Sequence, residues 1–470
     1  MKLISLCVLV SMPLTFLPIA GAQTVGWRGD GSGTYPDARP TLNWAIEQNV
    51  IWKTPMPAAS NATPVIHGHR IFVTAEPATL ICLNKADGKI LWKRSNTLKE
   101  SLSPDQLAKM ERASRAKTDL KAVEAKLNAL RPRIEKLANA DRKDQSELVR
   151  LKDDELLLKS KLEKVKKELD PISKFSRPKV EPTVGYATPT PVIVGKHVWA
   201  VFGVGIVACY DVDGNRKWSK WMRMVEDRGS EYGQSPSPLL ADGKLIVQTH
   251  LWNTVALNPQ TGEELWRIES RVRFGTPALA TVGGARIVIT PEGDFIRLSD
   301  GEKLAAVPAR LDYNSPIVRD GAVFFMSESN DHRPLAVKLP EQAQTFTPEI
   351  HWRTRLEKDH TYFSSPAWHK GLVYAVTADN LLTVFHAASG NVAYRRQLDK
   401  IQGRAYPSIT VAGDSIFVSD DQGATVVLAD GPEYRELAVN ILEPFRSNLV
   451  FQDDRMYVRT LHNLFCIGPK

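Results

Sequence analysis

Cysteine is scarce in this sequence, with four residues among 470. Cys7 lies in an apolar N-terminal run, and the other three thiols, Cys82, Cys209 and Cys466, are far apart along the chain. An odd number of widely spaced cysteines excludes a disulfide framework, even in an exported protein. A nucleophile elbow, a phosphate-binding loop and histidine spacing typical of a metal site are also missing. We therefore assign no catalytic residue and no metal ligand.

Long hydrophobic runs are missing as well, apart from residues 4–19. That run follows Lys2 and closes on Ala20-Gly21-Ala22, a pattern that predicts a signal peptide over residues 1–22 with cleavage after Ala22. The mature chain would begin at Gln23 and reside in the periplasm or outside the cell. We expect it to have no transmembrane segment.

Positive charge is present in excess, but it is concentrated in one segment. The formal net charge is +8, and residues 96–181 carry about +6 of it. The remainder of the chain is nearly neutral, and no nucleic-acid recognition motif is present. A nucleic-acid partner is therefore not expected.

A repeated sequence motif is the most informative feature of the chain. It starts with Ser or Thr followed by Pro, continues through short apolar strands and an acidic or Gly turn, and ends in Gly-x-x-x-Trp. Three full copies start at Thr63, Thr190 and Ser237, and degraded copies start at Thr276, Ser315, Ser365, Ser408 and Ser447. Outside one insertion the starts lie about 40 to 50 residues apart, the period of a four-stranded propeller blade.

The two ends of the repeat region predict how a ring would close. The eighth copy ends at Phe465-Cys466-Ile467, which matches only a third strand. Residues 49–53, which precede the first copy, resemble the last strand of that copy around Trp92. We predict that this N-terminal strand completes the eighth blade by pairing with residues 464–467.

The repeat resembles the tryptophan-docked blades of the PQQ-like (quinoprotein-type) propeller family. The opening Trp27-Arg28-Gly29-Asp30-Gly31 is similar to the start of exported bacterial PQQ-binding-like β-propeller repeat proteins. The resemblance implies an all-β, eight-bladed β-propeller with tryptophan-docking repeats, related to the outer-membrane assembly propeller. It covers nearly all of the mature chain except the insertion.

Five tryptophans and three thiols occupy recurring positions in the repeat. Trp52, Trp92, Trp218, Trp266 and Trp352 end the copies, where an indole can be buried between neighbouring blades while its N–H reaches a carbonyl. The thiols precede the acidic turn and are expected to pack as small apolar groups.

A charged, proline-poor insertion follows the first copy. Apolar residues repeat every three or four positions from Leu120 to Leu137 and again from Leu158 to Leu169, which predicts two helices on either side of a turn at residues 139–142. We expect an antiparallel coiled-coil hairpin, kinked at Pro132. The predicted division of the chain is 1–22 signal peptide, 23–58 N-terminal segment with the closing strand, 59–98 blade 1, 99–182 hairpin insertion and 183–470 blades 2–8.

Two classes of function remain open. A PQQ-dependent alcohol or sugar dehydrogenase would imply calcium, an acidic base and often adjacent cysteines, but the chain has no adjacent cysteine pair. Acidic residues near the copy starts, such as Asp312 and Glu231, occur singly. The favoured hypothesis is a non-catalytic, monomeric scaffold of the cell envelope that binds a protein, peptide or glycan. The hairpin would be a solvated appendage or, as the alternative, an arm that docks a partner or a second copy.

An aromatic series suggests where a ligand would bind. Three positions before the proline of the repeat, copies one to three carry Asn61, Thr188 and Ser235. Copies four to eight carry aromatic residues at that position, namely Phe274, Tyr313, Phe363, Tyr406 and Phe445. The series predicts an aromatic arc at the mouth of the axial funnel, although packing between blades would also explain it. No cofactor is assigned, and PQQ with calcium is left as an unsupported alternative.

Overall fold

The computed structural model describes residues 25–139, 145–175, 183–223, 233–250, 252–271, 273–327, 333–343, 346–355 and 361–469. The predicted signal peptide, Glu231 and most of the predicted hairpin turn lie outside these ranges. Within the described ranges, no helix combines the length and the apolar character needed to cross a membrane.

The described chain is mostly β and forms eight sheets, numbered here in chain order. The first strands are β1 (Thr34–Tyr35) and β2 (Val50–Pro55), which join sheets 7 and 8. Sheet 1 contains β3–β6 (Val65–His67, Arg70–Ala75, Thr79–Asn84, Ile90–Ser95). Sheet 2 contains β7–β10 (Val192–Val194, His197–Phe202, Ile206–Asp211, Arg216–Trp221). Sheet 3 contains β11–β14 (Leu239–Ala241, Lys244–Thr249, Asn253–Leu257, Glu264–Glu269).

The remaining sheets follow the same plan. Sheet 4 contains β15–β18 (Ala278–Val282, Ala285–Ile289, Asp294–Arg297, Lys303–Ala306). Sheet 5 contains β19–β22 (Ile317–Arg319, Ala322–Phe325, Leu335–Lys338, Glu349–Arg353). Sheet 6 contains β23–β26 (Ala367–His369, Leu372–Val376, Leu381–His386, Val392–Gln397). Sheet 7 contains β27–β30 (Thr410–Ala412, Ser415–Ser419, Ala424–Ala429, Glu436–Ile441) with β1, and sheet 8 contains β31–β33 (Val450–Gln452, Arg455–Arg459, Asn463–Ile467) with β2.

Apart from β1 and β2, each sheet is built from strands that are neighbours in sequence and pair antiparallel. The first strand of each sheet follows the start of a repeat copy, which is Ser/Thr-Pro in sheets 1 to 6 and lacks the proline in sheets 7 and 8. The outer strand carries the tryptophan position. Apolar side chains from facing sheets form the core, as where residues of sheets 6 and 7 pack together. A sheet with two apolar faces needs a neighbour on each side, so this arrangement matches a β-propeller.

The strand β2 pairs antiparallel with β33, as the closure argument predicts. Val50 lies opposite Ile467, Trp52 opposite Cys466 and Lys53 opposite Phe465. Sheet 8 therefore joins the beginning of the repeat region to its end. The remainder of this sheet comes from β31 and β32.

The residues before β2 add a contact that the sequence analysis missed. Val25 bridges Ile193 in sheet 2, and Thr34 pairs with Val411 on the first strand of sheet 7 in parallel. The segment from Val25 to Tyr35 thus connects β7 and β27, the first strands of sheets 2 and 7, which are not neighbours. Arg28 is buried within it and donates from Nη2 to the carbonyl oxygen of Ile409 at 2.6 Å.

The five recurring tryptophans bind the next sheet in the same way. Each indole N–H donates to a carbonyl of that sheet, at lengths between 2.7 and 3.2 Å. The ring also lies against the glycine of the following turn: a Cβ at Gly88 would be 2.5 Å from Trp52, and one at Gly390 would be 2.6 Å from Trp352. These glycines have positive φ as well. The Gly of Gly-x-x-x-Trp therefore leaves room for the indole of the preceding sheet.

The expected burial of these indoles is confirmed only in part. Trp352 is 8% exposed, whereas the other four are half-buried. The thiols lie directly opposite the indoles, with Cys82 facing Trp92, Cys209 facing Trp218 and Cys466 facing Trp52. All three are free and buried, and burial raises the pKa of the Cys466 thiol to about 11. A small side chain at this cross-strand position leaves space for the indole.

The insertion forms α1 (Leu98–Ser101), α2 (Pro104–Ala138), α3 (Gln145–Leu169) and a 3-10 turn (Asp170–Phe175). The helix α2 includes the predicted apolar stripe from Leu120 to Leu137 and runs through Pro132, and α3 includes the stripe from Leu158 to Leu169. Both helices begin more than ten residues before those stripes. The two helices contact each other along their length, with Val123, Leu127 and Leu151 buried.

The base of the insertion packs against sheet 2. Phe175 stacks on Trp221 of β10 with ring centroids 5.4 Å apart, and this pair joins the apolar cluster of Ala113, Val165 and Leu169. Glu100 of α1 also forms an ion pair with Arg216 of β10 at 3.1 Å. The helices are therefore anchored at one end, which faces the outer strand of the sheet.

Excising residues 103–171 and joining the ends with a Gly/Ser linker should leave the sheets folded. No strand pairing involves α2 or α3, so circular dichroism should lose its helical signal and keep its β signal. We expect a small fall in melting temperature because Phe175 and Trp221 lose their apolar partners. Loss of the β signal would contradict this independence.

Candidate functional site

A closed ring of hydrogen bonds joins the starts of the eight repeat copies. In each copy, the backbone N–H of the first residue donates to the side-chain oxygen of the equivalent residue in the next copy, at 2.8 to 3.3 Å. The ring consists of Thr63, Thr190, Ser237, Thr276, Ser315, Ser365, Ser408 and Asn448. The last bond returns from Asn448 to Thr63.

This ring gives the Ser or Thr of the repeat a physical role that the sequence analysis did not identify. A hydroxyl oxygen can accept the N–H of one neighbour and still donate its own proton. Among the described residues, none of the seven ring hydroxyls donates to a protein acceptor. Their O–H groups remain available to water or to a ligand.

The ring hydroxyls line a cavity of about 300 Å³. The residues two positions earlier in each copy form a second level of its wall, and we call the whole cavity the cup. This upper level comprises Asn61, Thr188, Ser235, Phe274, Tyr313, Phe363, Tyr406 and Arg446. Trp27, Thr183, Val184 and Arg404 complete the lining.

The predicted aromatic residues meet in one continuous arc, with one exception. Phe274 stacks on Tyr313 with centroids 5.5 Å apart, and Tyr313 meets the edge of Phe363 at 4.8 Å. Phe363 then stacks on Tyr406 at 4.5 Å. The rings therefore pack on one another and also face the cup, so the two explanations considered from sequence are compatible.

Phe445 is the exception, and its placement corrects the predicted register of the eighth copy. The structure buries Phe445 in the core beside Trp44 and Phe451, away from the cup. Asn448, rather than Ser447, occupies the ring position, which shifts this copy by one residue. The cup therefore receives Arg446, whose guanidinium lies 4.8 Å from the centroid of Tyr406.

The charged side chains that line the cup are two arginines, one of which is paired with a carboxylate outside the lining. Arg446 donates to the carbonyl of Thr183 at 2.7 Å and pairs with Asp421 at 3.2 Å, while Arg404 lines the same side. Within the described chain, no Asp or Glu lines the cup. Asp312, the carboxylate singled out from sequence, instead pairs with Arg273 at 3.2 Å and with Arg310 at 3.8 Å.

One end of the cup is covered by the N-terminal segment. Trp27 lines the cavity, and the flanking residues Val25 and Thr34 pair with inner strands beyond the hydroxyl ring. Arg28 lies over the Trp27 ring at 5.3 Å, and its burial lowers its pKa to about 10. The N-terminal segment therefore lies at the end of the cup away from the aromatic arc.

Within the described ranges, one group of side chains is arranged as metal ligands would be, and it lies outside the cup. Among the described residues, ligand atoms of His369, Asp414 and Asp430 lie within 4.8 Å of one another. The ammonium of Lys370 lies 2.7 Å from Asp414 and 2.8 Å from Asp430. A protein cation therefore already compensates these two carboxylates.

These sheets, docked by recurring indoles and joined through one hydrogen-bonded ring, define the β-propeller class. A family model described as "Outer membrane protein assembly factor BamB" matches residues 45–126, 173–339 and 342–439. The chain belongs to this PQQ-like repeat family. The matched residues cover most of the sheets.

Two solved dehydrogenase structures agree on the fold. A europium-containing methanol dehydrogenase is 10% identical over 94% of this chain and 98% of its own, with a TM-score of 0.52. The quinohemoprotein alcohol dehydrogenase ADHIIG from Pseudomonas putida HK5 is 10% identical over 92% of this chain and 78% of its own, with a TM-score of 0.50. BamB from Moraxella catarrhalis is 14% identical over 59% of this chain and 80% of its own, with a TM-score of 0.47. No curated protein matches the chain.

Proposed function

We propose that this chain is a non-catalytic binding scaffold of the cell envelope that captures a segment of a partner protein in the cup. The observation that carries the proposal is the set of seven ring hydroxyls without a protein acceptor, placed below an aromatic arc. Such donors suit the carbonyl and carboxylate oxygens of a peptide. The aromatic arc would contact its apolar side chains.

The electrostatics of the cup support the same choice. Arg404 and Arg446 favour an oxygen-rich or anionic group, and no carboxylate in the described lining would repel it. The volume of about 300 Å³ suits one or two residues of a peptide. The floor at Trp27 favours a chain end or a loop tip over a strand threaded through the propeller.

The proposal includes the finer architecture. The eight sheets would be the eight blades of one ring, and α2 and α3 an antiparallel coiled-coil arm offering a second docking surface. The proposed division of the chain remains 1–22 signal peptide, 23–58 N-terminal segment, 59–98 blade 1, 99–182 insertion and 183–470 blades 2–8. The candidate site residues are Phe274, Tyr313, Phe363 and Tyr406, with Arg446 in place of Phe445. Export by the signal peptide, and membership of a family described as an outer-membrane assembly factor, support a periplasmic location.

The alternative of a PQQ-dependent dehydrogenase does not fit the cup. A quinone cofactor held through calcium or a lanthanide needs oxygen ligands of high charge density, usually carboxylates. The described lining offers hydroxyls, amides and arginines. Arginines beside the expected position of a cation would oppose its binding.

Changing both Tyr313 and Tyr406 to Ala should weaken partner capture about tenfold or more while leaving the fold intact, because large aromatic anchors dominate binding energy. The measurement is photo-crosslinking in the envelope from a reactive residue placed at Asn61, on the opposite wall of the cup, followed by identification of the captured protein. The same reactive residue at Leu91, an exposed position on β6, is the matched control. Equal capture by the double variant and the parent would contradict the proposal.

A further inference from the structure

A second groove lies away from the cup, beside Trp252 in the turn before β13. Its volume is about 410 Å³, and its other walls are formed by Glu269, Arg271, Glu292, Asp294 and Lys303. Trp252 is the only large apolar side chain in this described lining. The groove therefore lacks the apolar centre that a protein interface needs.

The backbone holds Trp252 in an exposed position at a conformational cost. Its φ is +61°, a region that bulky L-residues rarely adopt, and its side chain is 51% exposed. Two backbone hydrogen bonds maintain this turn. The N–H of Trp252 donates to the carbonyl of Thr249 at 3.1 Å, and the N–H of Ser270 donates to the carbonyl of Trp252 at 2.9 Å. Strained residues that stay exposed are concentrated at binding sites.

The charged walls are paired but retain hydrogen-bonding capacity. Arg271 lies 5.9 Å from the Trp252 ring and 3.6 Å from Glu292, and Lys303 pairs with Asp294 at 2.5 Å. The Oε1 atom of Glu292 is buried and accepts no hydrogen bond in the described structure. Three carboxylates against two cations leave the groove with an excess of acceptors.

We propose that this groove binds the pyranose ring of a neutral or amino sugar, stacked on the exposed indole of Trp252. The C–H face of a pyranose packs on an aromatic ring, while hydroxyl or ammonium groups at its edge would donate to Glu269 and Glu292. A uronic acid would meet the carboxylates with like charge. The groove does not share lining residues with the cup, so this proposal is independent of the proposed function.

Isothermal titration calorimetry of the full chain from residue 23 tests the proposal. The ligands are cellobiose, a glucosamine disaccharide and a galacturonic acid disaccharide. We expect the first two sugars to bind and the uronate to bind at least about tenfold more weakly. Trp252→Gly should weaken sugar binding about tenfold or more. Glycine adopts a φ of +61° without strain, so this variant keeps the turn and should not lower the melting temperature.

Two controls separate the outcomes. Trp368 also carries a cation over its ring, Arg319 at 5.1 Å, but lines neither cavity, so Trp368→Ala should leave sugar binding unchanged. The Tyr313 and Tyr406 double variant should likewise retain it. Failure of both the neutral and the amino sugar to bind, equal binding of the uronate, or unchanged binding in Trp252→Gly would overturn the proposal.

Discussion

Removal of residues 23–54 is expected to lower the melting temperature of the protein by about 5 °C or more. The deletion takes away most of β2, leaving β33 of sheet 8 as an unpaired edge. It also removes Trp44, which is 4% exposed in the core between sheets 7 and 8. Loss of one such indole costs about 3–5 kcal/mol, so the whole deletion should cost about 5 kcal/mol or more.

Differential scanning calorimetry of two truncations would test this expectation. Deleting residues 23–33 removes Trp27 and Arg28 but keeps Trp44 and β2, and this shorter truncation should cost clearly less. It should also open the floor of the cup. If the two truncations melt at the same temperature, closure through β2 makes no measurable contribution to stability.

Replacing Trp352 with Ala is expected to destabilise the protein by about 3–5 kcal/mol. The indole donates to the carbonyl of Ala387 at 2.7 Å and covers Gly390 of the next sheet. Its removal leaves both a cavity and a carbonyl without its donor. Urea unfolding monitored by far-ultraviolet circular dichroism, rather than by tryptophan fluorescence, would measure the loss in free energy of unfolding.

The matched control is Ile350→Ala on the same strand. Ile350 is 39% exposed, so its truncation should change the free energy of unfolding by about 0.5 kcal/mol or less. Trp92 and Trp266 are half-buried, so replacing either with Ala should lower the free energy of unfolding by an amount between these two values. A loss for Trp352→Ala no larger than the loss for Ile350→Ala would show that docking does not hold the sheets together.

The cup shows why sequence identified most, but not all, of the candidate site. The aromatic residues share one position in the repeat, so Phe274, Tyr313 and Phe363 could be found from the Ser/Thr-Pro start, and Tyr406 from the Ser start of a copy that lacks the proline. The eighth copy has lost that proline, and a one-residue error exchanged buried Phe445 for Arg446. In this degraded copy, the residue at the ring position could be identified only from the hydrogen bond that the N–H of Asn448 donates to Thr63.

The tertiary structure also brings together residues that no local pattern relates. Trp27 lies in the N-terminal segment and lines the cup, which all the sheets build. Trp252 lies in a turn of sheet 3 and lines a groove between sheets 3 and 4. Neither residue occupies a repeated position, so periodicity carries no signal for it. The long-range pairing of Val25 with Ile193 positions Trp27, and hydrogen bonds to Thr249 and Ser270 position Trp252.

By itself, the sequence determined the repeated β unit, its docking tryptophans, the closing strand and the helical insertion. These features depend on periodicity and turn chemistry, which are local and therefore readable along the chain. Only the tertiary structure decided that the hydroxyls form a closed ring with free donors, that the N-terminal segment covers one end of the cup, and that Arg446 joins the aromatic arc. Those features depend on which distant residues meet, because an inner strand contacts its neighbours only after the sheets have packed.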